Sequence, residues 1–175
     1  MSKALVVIDH QKAMFAIPSL PPYDGEAVTD RIAELIAKAR AADVLIFFVQ
    51  HDGGTEDDFC PGKPGFPFHD KIAPQAGDDV TVKTKSSAFH GTAFDAKLKR
   101  AGIDHLIITG MQSEYCVTSA IRGAYERGYK LTLVSDGHST FDTKVAKGEN
   151  IVAIVNDTTR GSFGDVVPAA GIDFR

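Results

Sequence analysis

Residues 105–135 read HLIITGMQSEYCVTSAIRGAYERGYKLTLVS, and this stretch is the clearest sequence indication of the fold. It contains two continuous apolar runs, 105–110 and 130–135, separated by a segment (113–127) whose apolar residues recur at helical spacing. Continuous apolar runs are typical of strands that a parallel sheet buries on both faces. Two such strands joined by a helix form a right-handed βαβ unit, so the stretch predicts an α/β fold.

The same alternation of strand and helix runs through the rest of the chain. Apolar runs predict further strands at 4–8, 44–49, 79–84 and, at an edge, within 165–174. Further helices are predicted at 25–42, 92–101 and 143–156. We therefore expect a three-layer α/β/α sandwich, in which helices cover both faces of a mostly parallel sheet.

Length and composition restrict the class of protein. A chain of 175 residues fits one domain, predicted here over 1–175, because domains usually hold about 100–200 residues. The net charge is −4 and no basic tract is present, which argues against nucleic acid or an anionic membrane as a partner. The first apolar run is too short for a signal sequence, and no run could span a bilayer. We expect a cytoplasmic protein.

Ionisable side chains follow several of the predicted strands. In open parallel sheets, ligands bind beyond the carboxyl ends of the strands. Those ends carry Asp9, His51, Lys83, a turn that leads to Cys116, and the segment Asp136-Gly-His138. This is more polar chemistry at one edge than a structural sheet needs, and it predicts a site there. The long Gly- and Pro-rich connection 52–78 is expected to be an ordered loop near that site.

Cys116 stands where the chain passes from a strand to a helix. Ser113 is a suitable N-cap, which places Cys116 in the first turn of the predicted helix. There the helix dipole and unpaired N–H groups favour a thiolate with a lowered pKa, and the same N–H groups could hold an oxyanion. The alternative is that Cys116 is a small buried hydrophobic residue. The other cysteine, Cys60, lies in the 52–78 loop with no visible chemistry, and two cysteines do not make a disulfide framework.

Asp9 and Lys83 each allow two interpretations. Asp9 is either a capping or turn residue, or a partly buried carboxylate whose raised pKa suits a general base. Lys83 is either a solvated charge or, if it points into a site with Asp9 and Cys116, a cation that stabilises both anions.

Metal and nucleotide sites have little support in the sequence. His51, His69, His90 and His138 are candidate metal ligands, but no HxxxH or HxH spacing connects them. The GxGxxG, GxxxxGK[ST], HExxH and GxSxG motifs are absent. We expect no bound metal and no other cofactor.

Three motifs, in order along the chain, resemble the isochorismatase-like cysteine hydrolase superfamily: ALVVIDHQKAMF (4–15), VKTKSSAFHGTAF (82–94) and the segment from IITG to VSDG (107–137). The resemblance implies a six-stranded parallel sheet with an Asp–Lys–Cys triad, which falls on Asp9, Lys83 and Cys116. It also implies a non-proline cis peptide at Met111–Gln112. The backbone N–H groups of Gln112 and Cys116 would then form an oxyanion hole.

The resemblance implies metal-independent hydrolysis of the C–N bond of a small amide through a thioester on Cys116. Nicotinamidases of this superfamily carry a metal-binding D-x-H after the second strand, whereas this chain has Gln50-His51-Asp52. Members that cleave the vinyl ether of isochorismate usually lack the cysteine. Both remain alternatives, as does a non-enzymatic flavodoxin-like binding module, although His10 and Gln11 do not supply the acidic pair that phospho-receiver domains need.

Aromatic residues near the motifs are candidates for the walls of a substrate pocket. They are Phe15, His51, Phe89 and Tyr115, and each is equally compatible with ordinary core or rim packing. The resemblance further implies a small-molecule substrate and a homo-oligomer, either a dimer or a tetramer.

Overall fold

A single parallel sheet organises the molecule. The computed structural model describes residues 2–55 and 57–174, and in this part of the chain the sheet has six strands: β1 (Lys3–Ile8), β2 (Leu45–His51), β3 (Asp79–Lys83), β4 (His105–Met111), β5 (Lys130–Ser139) and β6 (Asp165–Val167). Their order is β3-β2-β1-β4-β5-β6, and every neighbouring pair is parallel. The order reverses between β1 and β4, the place where open α/β sheets bind ligands. The predicted fold class is confirmed.

Helices cover both faces of this sheet: α1 (Gly25–Ala41), α2 (Phe94–Arg100), α3 (Thr118–Glu126) and α4 (Gly148–Ser162). Leu5 and Val7 of β1 pack in the core under α1, and Val6 and Ile8 pack in the opposite core with α2, α3 and α4. Because both faces of the strands are buried, the sequence shows continuous apolar runs instead of alternation. No helix in the described residues is long and apolar enough to cross a bilayer.

The predicted starts of two helices are wrong. The segment predicted as one helix over 113–127 begins with a π-helical turn, Ser113–Val117, and α3 starts only at Thr118. The prediction that Ser113 caps this helix is wrong, because its hydroxyl lies 2.8 Å from Nδ1 of His138 instead. The last helix, predicted over 143–156, lies further along the chain at α4. We call Ser113–Val117 the cysteine turn below.

The pairing of β4 with β5 is irregular next to the cysteine turn. Ile108 pairs with Leu133, but Gly110 pairs with His138, which extends β5 beyond the predicted 130–135. Gly110 has a φ of 120°, and a Cβ at this position would lie 2.1 Å from the carbonyl oxygen of Ile8. Only glycine therefore fits where β4 passes β1. The shifted register brings His138 beside the turn that follows β4.

Candidate active site

Three side chains from different strand ends meet at the carboxyl edge of the sheet. Asp9 follows β1, Lys83 ends β3, and Cys116 lies in the cysteine turn after β4. Nζ of Lys83 lies 2.6 Å from Oδ2 of Asp9 and donates to Sγ of Cys116 at 3.3 Å. The Lys83 and Asp9 side chains are only 0% and 1% exposed, so this is a buried ion pair in contact with a thiol.

The backbone at Asp9 is unusual. Asp9 has a φ of 45°, in the left-handed region that aspartate tolerates better than most residues with a side chain. Its N–H donates to the carbonyl oxygen of Val49 in β2 at 2.8 Å, and its carbonyl oxygen accepts from the N–H of Gln11 at 2.8 Å. Hydrogen bonds on both sides therefore hold the residue in a conformation of the kind that clusters at functional sites.

The protonation of the site follows from burial. Burial raises the pKa of Asp9, and the neighbouring Lys83 ammonium and a hydrogen bond with Cys116 oppose that rise. Burial, with the negative charge of Asp9 next in importance, raises the pKa of the Cys116 thiol to about 12. The predicted lowering of the thiol pKa is therefore wrong. The resting site holds a neutral thiol, because Cys116 is partly buried in a π turn beside Asp9 and does not lie at the start of an α-helix.

The cysteine turn is closed by its own hydrogen bonds. The carbonyl oxygen of Gln112 accepts from the N–H groups of Tyr115 and Val117, both at 3.2 Å. The hydroxyl of Thr118 donates to the carbonyl oxygen of Ser113 at 2.7 Å. The peptide bond between Met111 and Gln112 is cis. The turn is thus compact and presents Cys116 toward Lys83.

His51 is the one predicted pocket residue that lies at the three-residue cluster. Its Nδ1 is 3.4 Å from Nζ of Lys83, and burial followed by the Lys83 charge lowers its pKa. An ammonium group this close disfavours a metal ion on that nitrogen. In the described residues, no group of three or more His, Cys, Asp or Glu side chains is placed to hold a metal ion.

The other predicted pocket residues lie elsewhere. Phe89 is a core residue, 6% exposed, whose ring packs against Phe94 at a centroid distance of 5.0 Å. Phe15 packs against His69 at 5.0 Å and lines a separate cavity of about 490 Å³. Tyr115 is 56% exposed on the surface. Neither Phe89 nor Phe15 lines the cavity beside Gln112, the residue before the cysteine turn.

A cavity of about 530 Å³ opens beside the cysteine turn. Gln112 lines it, together with apolar and acidic residues that include Met14, Phe59, Phe141, Asp57 and Asp58. The ring of Phe59 lies 5.8 Å from that of His51, and His51 in turn contacts Lys83. Phe59 belongs to the 52–78 loop. The prediction that this loop lies near the site could therefore have pointed to Phe59. Nothing in the sequence pointed to Phe141.

Two glutamines that the sequence reasoning did not assign to the site hold this loop in place. Nε2 of Gln11 donates to the carbonyl oxygens of His51 at 3.0 Å and Phe66 at 2.7 Å, and its Oε1 accepts from the N–H of His51 at 2.8 Å. Nε2 of Gln50 donates to the carbonyl oxygen of Phe66 at 2.8 Å. The loop is therefore fixed to the ends of β1 and β2, where the ion pair lies.

Comparison with known families agrees with this architecture. The Isochorismatase domain model matches residues 3–159, which include the ion pair and the cysteine turn. The chain belongs to the isochorismatase family.

Relatives of this isochorismatase-family chain include enzymes named for hydrolysis of defined compounds. A streptothricin hydrolase from Streptomyces noursei is 33% identical over 168 residues, which cover 96% of this chain but only 61% of that protein. The ureidoacrylate amidohydrolase RutB of Variovorax paradoxus is 27% identical, over 76% of this chain and 67% of the relative. A cysteine hydrolase structure from Pseudomonas syringae pv. phaseolicola 1448A superposes with a TM-score of 0.88 at 25% identity, covering 96% of this chain and 89% of that one.

Proposed function

We propose that the protein is a cysteine hydrolase that cleaves the C–N bond of a small amide through a thioester on Cys116. The observation that carries this proposal is the contact of Lys83 with both Asp9 and Cys116 at buried strand ends. A thiol beside a base is an arrangement that activates a nucleophile, and the fixed Lys83 cation contacts both groups. Family membership and a relative named as an amidohydrolase support amide cleavage.

Acylation begins with a proton transfer inside the site. Asp9 takes the proton of the Cys116 thiol while the sulfur attacks the carbonyl carbon of the amide. The charge that develops on the carbonyl oxygen is stabilised by the backbone N–H groups of Gln112 and Cys116. Protonated Asp9 then gives its proton to the departing nitrogen, and the C–N bond breaks to leave a thioester.

Deacylation repeats the same steps with water. Asp9 takes a proton from a water molecule, the resulting hydroxide attacks the thioester carbon, and the acid leaves as the proton returns to the sulfur.

The ion pair keeps the net charge of the site constant during these proton transfers. Asp9, Lys83 and the thiol carry no net charge together, and this stays true when the proton moves from sulfur to carboxylate. The transfer therefore creates no new net charge in a buried site, where a charge would be costly.

The cavity beside Gln112 is the proposed place for the substrate. Its volume of about 530 Å³ suits a small molecule, and Met14, Phe59 and Phe141 suit an apolar acyl group. Asp57 and Asp58 give its rim negative charge, which disfavours substrates that carry a carboxylate. We propose a small, uncharged or cationic amide with an apolar body.

A panel of primary amides tests this proposal through ammonia release. The panel pairs neutral amides with carboxylate-bearing analogues of equal size, each measured with and without EDTA. We expect ammonia from one or more neutral members, slower release from the charged analogues, and no effect of EDTA. Hydrolysis that occurs only with added zinc or iron would contradict the metal-independent mechanism.

The pH dependence of kcat/KM distinguishes a base-assisted thiol from a preformed thiolate. The reactive form has ionised Asp9, whose pKa is raised above its usual value of 3.8. We therefore expect kcat/KM to fall as the pH drops through a midpoint above 3.8. Because the thiol pKa is about 12, the ionisation of Cys116 should produce no rise near the usual thiol value. A profile that climbs through about pH 8.5, where a free cysteine ionises, would contradict this assignment.

A further inference from the structure

A partly buried series of hydrogen bonds lies behind the cysteine turn and has no part in the proposed proton transfers. The hydroxyl of Ser113 lies 2.8 Å from Nδ1 of His138, and Nε2 of His138 lies 3.1 Å from Oδ1 of Asn156. Nδ2 of Asn156 donates to the carbonyl oxygen of Ser135 at 2.9 Å. Ser113 and His138 are 0% and 1% exposed. These hydrogen bonds connect the cysteine turn to β5 and α4.

Asn156 and Ser135, at the far end of this series of hydrogen bonds, determine which atom carries each proton. Since Nδ2 of Asn156 donates to Ser135, its Oδ1 faces His138 and requires a proton on Nε2. Nδ1 of His138 is then an acceptor, and the hydroxyl of Ser113 donates to it. Burial lowers the pKa of His138 to about 4, so the ring is neutral near pH 7. The hydroxyl of Ser113 therefore points in one defined direction.

Ser113 is well placed to control the backbone of the turn. It directly follows Gln112 and begins the cysteine turn that holds Cys116. Its carbonyl oxygen is held by the Thr118 hydroxyl at 2.7 Å, and its side chain is held by His138. Both N–H groups assigned to the oxyanion hole belong to residues within three positions of this doubly anchored serine.

We propose that the Ser113–His138–Asn156 chain positions the backbone N–H groups of Gln112 and Cys116 as oxyanion donors. The inference rests on the proposed cysteine-hydrolase function. The three residues are positioning residues, because they act through the turn and do not touch the reacting atoms. Hydrogen bonds weaken steeply when distance and angle change, and the loss of one oxyanion donor typically slows a reaction about 10²–10³-fold.

A test of this inference reads oxyanion binding without any need for the natural substrate. The Cys116 thiol adds to butyraldehyde: the S–C bond forms, the C=O π bond breaks, the thiol proton passes to Asp9, and the negatively charged oxygen occupies the oxyanion hole. Methyl methanethiosulfonate then reports the free thiol, because an S–S bond forms and methanesulfinate leaves without an oxyanion at carbon. Protection of Cys116 by the aldehyde, followed by peptide mass spectrometry, gives the dissociation constant of the aldehyde. Cys60 is the internal control.

Two substitutions of His138 form a matched pair. His138→Asn keeps an acceptor near Nδ1 for Ser113, whereas His138→Gln keeps a donor near Nε2 for Asn156. We expect Ser113→Ala and His138→Gln to raise the aldehyde dissociation constant at least about tenfold, and His138→Asn about threefold or less. The rate with methyl methanethiosulfonate alone should stay within about twofold. Asn156→Ala, at a half-buried position, is the milder variant if a His138 variant does not fold, with about a threefold increase expected.

Several outcomes would overturn the inference. Equal aldehyde affinity in all variants would show that the hydrogen bonds among Ser113, His138 and Asn156 have only a structural role. An equal loss of aldehyde affinity in His138→Asn and His138→Gln would show that the hydrogen bond between His138 and Ser113 does not position the N–H donors. Methanethiosulfonate rates that fall in parallel with aldehyde affinity would place the effect on the thiol and not on the N–H donors. A wild-type protein whose Cys116 gains no protection would instead overturn the proposed function itself.

Discussion

Cys116→Ala lowers kcat/KM for amide hydrolysis at least about 10³-fold, if the sulfur is the nucleophile as proposed. Sγ of Cys116 is the atom that Lys83 contacts at 3.3 Å, and alanine leaves no group there to form a thioester. The replaced side chain is small and only partly buried, so the thermal unfolding midpoint should change little. Ammonia release by purified variant and wild type, at equal folded concentration, is the measurement.

Cys60→Ala is the matched control for this variant. Cys60 lies in the 52–78 loop, where its Sγ contacts the carbonyl oxygen of Pro61 at 3.4 Å and no residue of the proposed triad. We expect wild-type activity from it. Full activity in Cys116→Ala, or the same loss in both cysteine variants, would show that the reaction does not pass through Cys116.

Lys83→Met is expected to abolish activity and also to destabilise the fold by roughly 3–5 kcal/mol at pH 8, because it leaves Asp9 buried without its counter-ion. For a chain of this size, that corresponds to a fall of about 6–20 °C in Tm. Without Lys83 the pKa of Asp9 rises further, because the lysine charge lowers it, so more of the carboxyl is protonated at pH 5 than at pH 8 and its burial costs less there. The loss of Tm should therefore be smaller at pH 5 than at pH 8.

The double variant Asp9→Asn/Lys83→Met separates stability from catalysis. It removes both buried charges, so most of the lost stability should return and the effect on Tm should no longer depend on pH. Activity should not return, because the base and the cation are both gone. Calorimetry at the two pH values measures this. If the double variant were no more stable than Lys83→Met, the buried pair would not explain the destabilisation.

The fold was predictable because burial on both faces leaves a direct mark on the sequence. The strands of this sheet are short apolar runs, and their parallel pairing places Asp9 and Lys83 at one edge. The start of α3 was not predictable from local pattern. Serine is a residue type favoured at N-caps, but the hydroxyl of Ser113 donates to His138 instead. Only the register of β4 with β5 brings His138 near.

The properties of the site were less predictable than its members. The pKa of Cys116 depends on its burial and on the Asp9 carboxylate, neither of which is visible in the residues next to it in sequence. Phe89 looked like a pocket residue because it lies in a motif. Its ring is instead part of the core against Phe94, and sequence position alone does not distinguish these places.

The central claim is that an acyl group passes through Cys116 as a thioester, and partitioning with hydroxylamine tests it most directly. Hydroxylamine attacks a thioester in competition with water and gives a hydroxamate in place of the acid. With an amide that the wild-type protein hydrolyses, the proposed mechanism predicts that hydroxamate rises with hydroxylamine concentration while acid falls and ammonia release is not slowed. Ammonia and acid that stay equal, with no hydroxamate at any concentration, would contradict it.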